Sequence, residues 1–179
     1  MKKAYLLSLI GLPIAFLLDN FFMRLDIRTE ILDIMFNWIT HFGSLFAILV
    51  FMTSLFLWEE KKQSYIPILW LSFVITIVVC FFLKFLIARP RPILVYYPLI
   101  NLINYSFPSM HAAGAFSVVA LLDKEFPTFK WFWCSFAVLV AFSRVYFKLH
   151  YFSDIYAGAL LGYTIGYLIL NKDLKTLLN

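Results

Sequence analysis

Charge is scarce in this chain: 14% of its residues are Asp, Glu, Lys or Arg, against about a quarter in a soluble domain. Together with a hydrophobic content of 63%, that shortage excludes a water-soluble globule. Strand-like alternation of apolar and polar residues is also missing, so a β-barrel is excluded and helices must satisfy the backbone in lipid. The two cysteines, Cys80 and Cys134, sit in apolar runs with neither metal-ligand spacing nor a pairing pattern, and read as core filler. No small-x-small cleavage site follows the first apolar run. Ala4 to Leu18 gives way to Asp19-Asn20-Phe21-Phe22, so the run reads as a retained transmembrane helix and not a secretory leader. The net charge of +5 is scattered between apolar runs and forms no stripe, which argues against nucleic acid as a partner. Available carboxylates are few, and Asp154 is the one expected to face the cations of the C-terminal half.

What is present is a set of apolar runs long enough to cross a hydrocarbon core, which takes roughly 20 helical residues. They predict an all-α integral membrane bundle of six transmembrane helices, a single domain over 1–179. The helices are expected at Ala4 to Leu18, Ile34 to Trp58, Tyr65 to Ala88, a fourth ending near Leu122, Lys130 to Tyr146, and Ser153 to Leu170. Arg24 to Asp33 suits a short amphipathic segment at the interface and equally an ordinary loop. The third helix must end before Arg89-Pro90-Arg91-Pro92, because proline disfavours helix in the residue before it. An irregular loop with Tyr96, Tyr97 and Pro98 follows. Ser106 is the expected N-cap of the fourth helix, with Pro108 in its first turn, so that Ser109 to His111 lie where free N–H groups attract anions. His41, alone in the second helix, reads as a bundle hydrogen-bonding group.

Orientation follows from the basic residues. Lys2, Lys3, Lys61, Lys62, Lys124, Lys130, Lys172 and Lys175 fall on one face of the six-helix plan, which the positive-inside rule makes cytoplasmic, and Trp58, Tyr65, Trp70, Trp131 and Trp133 gather near it. Arg24, Arg28, Arg89, Arg91 and Arg144 all fall on the other side, which suggests that they have work there. At about 1.5 Å per residue, Tyr65 to Lys84 rises ~28 Å, Asp123 to His111 ~18 Å, Lys130 to Arg144 ~21 Å and Asn171 to Asp154 ~25 Å. Lys84, Arg91, Ser109, His111, Arg144, His150 and Asp154 therefore converge on one outer layer. His150 and Asp154 stand four apart on one helical face, so the carboxylate can hold one imidazole nitrogen and leave the other free to react. Gly158, Gly162 and Gly166 continue from Asp154 at four-residue steps, a ridge suited to close packing within the bundle.

Two imidazoles, a carboxylate, a lysine and two or three arginines match phosphoryl transfer without a metal. Cations bind the equatorial oxygens, one histidine attacks phosphorus and another protonates the leaving oxygen. Lys84, Arg91 and Arg144 would repel a divalent ion, which argues against a metal site, and no cofactor is implied. Buried ion pairs that merely stabilise a transporter or scaffold are the rival reading.

The series Lys84-x6-Arg91-Pro92, Pro108-Ser109-Met110-His111 and Ser143-Arg144-x5-His150-x3-Asp154 resembles the three-part signature of the type 2 phosphatidate phosphatase superfamily. The resemblance implies a site built from 84–92, 108–111 and 143–154. In it His150 is the nucleophile that forms a phosphohistidine, Asp154 orients and charges it, and His111 is the general acid. Lys84, Arg91, Ser109 and Arg144 cradle the phosphate with a backbone N–H near Met110. The family usually has glycine where this chain has Met110. A helical first turn needs no glycine conformation there. Arg89 and Lys148 lie outside the signature and are expected in solvent.

These readings predict a phosphatase acting on a phosphomonoester or terminal diphosphate of a membrane lipid. Phosphatidylglycerophosphate, phosphatidate, undecaprenyl diphosphate and lipid A 1-phosphate are the candidates the family suggests. Phosphotransfer to a lipid alcohol would use the same site, and a lipid-binding or transport protein would keep the scaffold without the chemistry. The expected place is an inner membrane, with both termini cytoplasmic and the site facing the periplasm or exterior. The partners are the bilayer and the phosphorylated lipid. At 21.0 kDa the chain has little room for an extra substrate domain.

Overall fold

The computed structural model describes residues 2–41, 47–93 and 104–172, and these form helices with no strand among them. Helix α1 is Lys2–Arg24 and α2 is Glu30–Thr40; a π-helical stretch, Ala47–Met52, runs into α3, Thr53–Glu59. After a 3-10 turn, Gln63–Tyr65, come α4, Ile66–Ile87, and the broken pair α5, Met110–Ser117, and α6, Val119–Glu125. A second 3-10 turn, Pro127–Phe129, leads to α7, Lys130–Tyr146, and α8 is Phe152–Asn171. The expectations on Tyr96, Tyr97, Pro98 and Lys175 lie outside the described residues.

The distribution of side chains inverts that of a soluble protein. Leu17, Phe82, Phe85, Leu86 and Trp131 are exposed, while Lys84, Arg144, His150 and Asp154 are buried. Apolar groups face outward because lipid is their solvent, and the charges turn inward because they are costly there unless paired. The stretches Gln63–Ile87 and Phe152–Asn171 are long and apolar enough to cross a membrane.

Helix α8 is the central post, packed on α1, α4, α5, α6 and α7. Its glycine ridge explains how closely α5 approaches. A Cβ at Gly158, Gly162 or Gly166 would collide with the carbonyl oxygen of Ser109, Ala113 or Ser117 respectively. The ridge thus serves packing within the chain. An apolar core of Leu49, Leu57, Leu69, Phe73, Val118, Leu121, Leu122 and Val140 fills one half of the bundle. The polar layer sits in the other half, because α4 carries Phe73 early and Lys84 in its last turn.

Several expectations are corrected. Helix α1 does not stop at Leu18 but continues to Arg24, so Asp19 lies within it, buried at 6% exposure. The second helix is not continuous from Ile34 to Trp58. It starts at Glu30, capped by the Thr29 side chain, and the chain leaves it at His41 in extended backbone. The N-cap of α5 is Ser109, not Ser106. The Ser106 hydroxyl is taken instead by the carbonyls of Pro90 at 3.0 Å and Arg89 at 3.3 Å. The fourth helix does not end near Leu122, because Asp123 to Glu125 form the last turn of α6.

Candidate active site

Four elements deliver the polar layer. The C-terminal turn of α4 brings Lys84, whose stem is fully enclosed and whose Nζ donates to the carbonyl of Tyr105 at 2.5 Å. Ala88 then closes α4 in the left-handed region, φ 47°, its N–H bonded to the Lys84 carbonyl. That turn sends Arg89 and Arg91 back toward the bundle. Arg91 donates through Nη1 to the Leu149 carbonyl at 2.9 Å and through Nε to the Asn104 carbonyl at 3.2 Å. From α7, Arg144 donates to the Thr40 hydroxyl at 2.5 Å. The connection from α7 to α8 doubles back so tightly that Leu149 and His150 both donate their N–H to the Arg144 carbonyl, at 2.9 and 3.3 Å.

His150 is placed by that turn between opposite charges. Its Nε2 lies 3.3 Å from Arg91 Nη1, and its Nδ1 lies 3.5 Å from Asp154 Oδ2. A guanidinium offers only protons and a carboxylate only lone pairs. Nδ1 thus faces the carboxylate at ion-pair distance without a formed hydrogen bond, and the Ser106 carbonyl is a further acceptor at the ring. In this connection, outside both helices, burial first and then Arg91, Lys84 and Arg144 push the His150 pKa well below the usual value for histidine. The ring is kept neutral, as a nitrogen nucleophile must be.

Asp154 is completely buried. Its Oδ2 accepts the Tyr151 N–H at 2.9 Å, closing the first turn of α8, and its carbonyl accepts the Ser109 N–H at 3.0 Å. The starts of α5 and α8 are thereby tied together. A cavity of about 700 Å³ opens on this layer, lined by Lys84, Arg91, Met110, His111, Arg144 and His150, and by Asn37, Thr40 and His41 from α2. Ser109 stands behind it as the buried helix cap, its hydroxyl facing the Ala112 N–H. Met110 occupies the first residue of α5 without a positive φ. Three separated segments thus meet in one place, as the depth arithmetic expects.

Four assignments change. Arg89 is not in solvent: it pairs with Asp154 Oδ1 at 2.6 Å and Asp19 Oδ2 at 2.8 Å. Lys148 is not solvated either, since its ammonium caps the end of α1 by donating to the carbonyls of Phe22 and Met23, each at 3.0 Å. His41 is no internal bundle group; it is exposed and sits at the cavity wall where α2 ends. Asp154 is not the lone carboxylate of the layer, because Asp19 shares its cation. A signal for Asp19 exists in the sequence: a carboxylate inside an apolar helix needs a partner.

The chain belongs to the PAP2 superfamily, whose model matches residues 65–176. Over 125 residues it is 36% identical to an undecaprenyl-diphosphatase from Sulfolobus acidocaldarius, covering 65% of this chain and 59% of that protein. Over 65 residues it is 35% identical to an inositol phosphorylceramide synthase from Candida albicans, covering 36% of this chain and 14% of that one. The chain thus spans less than two thirds of either curated relative. Among solved structures it resembles a transmembrane PAP2-type phosphatidylglycerolphosphate phosphatase from Bacillus subtilis, with TM-score 0.71, 25% identity and 96% of each chain covered. It also resembles LpxE from Aquifex aeolicus, with TM-score 0.67, 26% identity, and 89% of this chain and 93% of that one covered.

Proposed function

We propose that this chain is a lipid phosphatase that hydrolyses a phosphomonoester or terminal diphosphate of a membrane lipid, without a metal, through a phosphohistidine. The observation that carries the reading is the cavity in which Lys84, Arg91 and Arg144 surround His150, with Asp154 behind its Nδ1. The three cations hold the equatorial oxygens and offset the charge that develops on them, the service a divalent ion gives elsewhere. His150 Nε2 attacks phosphorus while the bond to the leaving oxygen breaks, and His111 supplies the proton that oxygen takes. His111 then accepts a proton from water, whose oxygen attacks the phosphohistidine and releases phosphate. Asp154 balances the positive ring during both steps. The N–H groups at Met110 complete the phosphate cradle at the start of α5, and Ser109 caps that turn from behind.

One membrane-embedded domain over 1–179 carries the activity. Its six spans are α1, α2 from Ile34 onward with α3, α4, α5 with α6, α7 and α8. The lysine and arginine distribution supports cytoplasmic termini in an inner membrane and a site that faces the periplasm or exterior. The relatives support phosphatidylglycerophosphate and undecaprenyl diphosphate as substrates, with phosphatidate and lipid A 1-phosphate as further candidates. The similarity to a ceramide-modifying synthase favours one second reading, transfer of the phosphoryl group from the same histidine to a lipid alcohol.

The test is phosphate release by detergent-purified protein from these four lipids, in EDTA, beside His150→Ala. Release is expected to survive EDTA, vanish in the variant and yield to vanadate, with a bell-shaped pH profile whose acid limb lies below the ordinary histidine range. Release that needs a metal, or persists in His150→Ala, overturns the mechanism. A lipid alcohol that diverts phosphate into a new phospholipid selects transfer.

A further inference from the structure

The most heavily connected polar group outside the cavity is Arg89. Its Nη2 donates to Asp19 Oδ2 at 2.8 Å, and its Nη1 donates to Asp154 Oδ1 at 2.6 Å and to the Ser153 hydroxyl at 2.7 Å. That hydroxyl donates onward to Asp19 Oδ2 at 2.7 Å, and the Ser153 N–H donates to Asp19 Oδ1 at 2.8 Å. The ring of bonds is closed and directional. The guanidinium also lies over the faces of Tyr151, 4.0 Å from the centroid, and Phe16, at 5.0 Å, so aromatic rings screen it from both sides.

We propose that Asp19 and Arg89, linked through Ser153, form a positioning relay that holds the Asp154 carboxylate toward His150 and makes α1 part of the catalytic apparatus. The inference rests on the phosphatase reading above. Its argument is one of charge. Arg89 paired with Asp154 alone would neutralise the carboxylate that must balance the His150 ring. With Asp19 added, two carboxylates share one guanidinium and the cluster keeps one net negative charge beside a histidine otherwise ringed by cations. A scaffold would need only one ion pair here, since each buried ion adds a desolvation cost. The geometry also fixes rotamer: Oδ1 is held by Arg89, while Oδ2 accepts the Tyr151 N–H and faces His150 Nδ1 at 3.5 Å.

The groups facing His150 are Lys84 of α4, Arg91 of the following loop, His111 of α5, Arg144 of α7 and Asp154 of α8, and none is changed by altering α1. The experiment compares full-length wild type with Asp19→Asn, Arg89→Lys and Arg89→Gln in phosphate release, pH profile and thermal melting in detergent. Asp19→Asn is expected to lower kcat on the order of tenfold, the loss typical of removing a group that acts on a reacting ring through a partner. KM stays within about twofold. The acid limb moves to lower pH, because Arg89 then draws more charge from Asp154. Arg89→Lys keeps more activity than Arg89→Gln, which a charge-based role requires. Ser153→Ala, which removes the linking hydroxyl and leaves both charges, keeps the test decisive where Asp19→Asn folds poorly; severalfold lower kcat at unchanged KM supports the relay. Wild-type kinetics and pH profile in folded Asp19→Asn or Ser153→Ala overturn it, as does a lower melting temperature with unaltered kcat. Wild-type turnover with indifferent variants defeats this inference alone, whereas absence of turnover in the wild type defeats the phosphatase reading with it.

Discussion

The α5/α8 wall of the cavity and the α2 wall are assembled by different means. On the first, glycines let two backbones touch, and the Asp154 carbonyl bonds the Ser109 N–H, so His111, His150 and Asp154 sit on a frame with little freedom. On the second, among the described residues, no backbone–backbone bond joins α2 to the other helices, and every hydrogen bond across the seam involves a side chain. Thr40 accepts from Arg144, Phe36 packs on Tyr146 with centroids 4.7 Å apart, and the Tyr146 hydroxyl donates to Asp33 at 2.7 Å. The two histidines and Asp154 are on or beside the wall whose backbones are locked together. The α2 polar groups that line the cavity, Asn37 and His41, are on the wall held through side chains.

The largest effect should come from the rigid wall. Gly162→Val drives a branched side chain into the Ala113 backbone, and overpacking of this kind costs on the order of 3 kcal/mol. The expected outcome is a sharply lower melting temperature in detergent and little folded protein. Normal melting would mean that α5 and α8 can separate, and would erase the contrast. An intermediate effect is expected where the walls meet. Thr40→Val removes the acceptor of Arg144, and losing a hydrogen bond to a charged group costs about 2 kcal/mol. Phosphate release should show a fall in kcat/KM of about tenfold or more, with melting lowered by only several degrees; unaltered kinetics would uncouple α2 from the site.

The smallest effect lies at the outer end of α2. The Arg28 guanidinium, bonded to both oxygens of Asp33, and then the Tyr146 hydroxyl hold the Asp33 carboxyl below the usual carboxylate range. A carboxyl with a lowered folded-state pKa stabilises above its unfolded value and loses that contribution as pH falls through the folded one. Wild type should therefore melt slightly above Asp33→Asn near neutral pH, and the two curves should merge in acid below about pH 4. Curves that stay apart in acid would assign the α2 attachment to Phe36 packing instead.

Much of this site was legible in the linear chain because its elements are local. Helix α7 begins and ends where its apolar run does, α4 and α8 fall within a residue of their expected bounds, and two of the three signature motifs lie on or beside these helices. Where sequence reading failed, the partner was distant. Arg89 reaches Asp19 across 70 positions, and Asp19 reaches Ser153 across 134, so neither pairing leaves a periodic trace. Helix α2 was misjudged because apolar content on both sides of His41 reads as one span, while the backbone leaves the helix there.

Composition and hydropathy by themselves determined that this chain is helical and faces lipid, since a chain with so few charges has no other way to satisfy its backbone and its surface. Spacing along single helices determined which cations, histidines and carboxylate share a depth. The tertiary structure alone decided which charge neutralises which, because in a low-dielectric interior an ion takes whatever partner the packing of other helices brings within reach. That is how Asp19, which reads as a residue just beyond the first helix, lies buried in α1 beside the reacting layer.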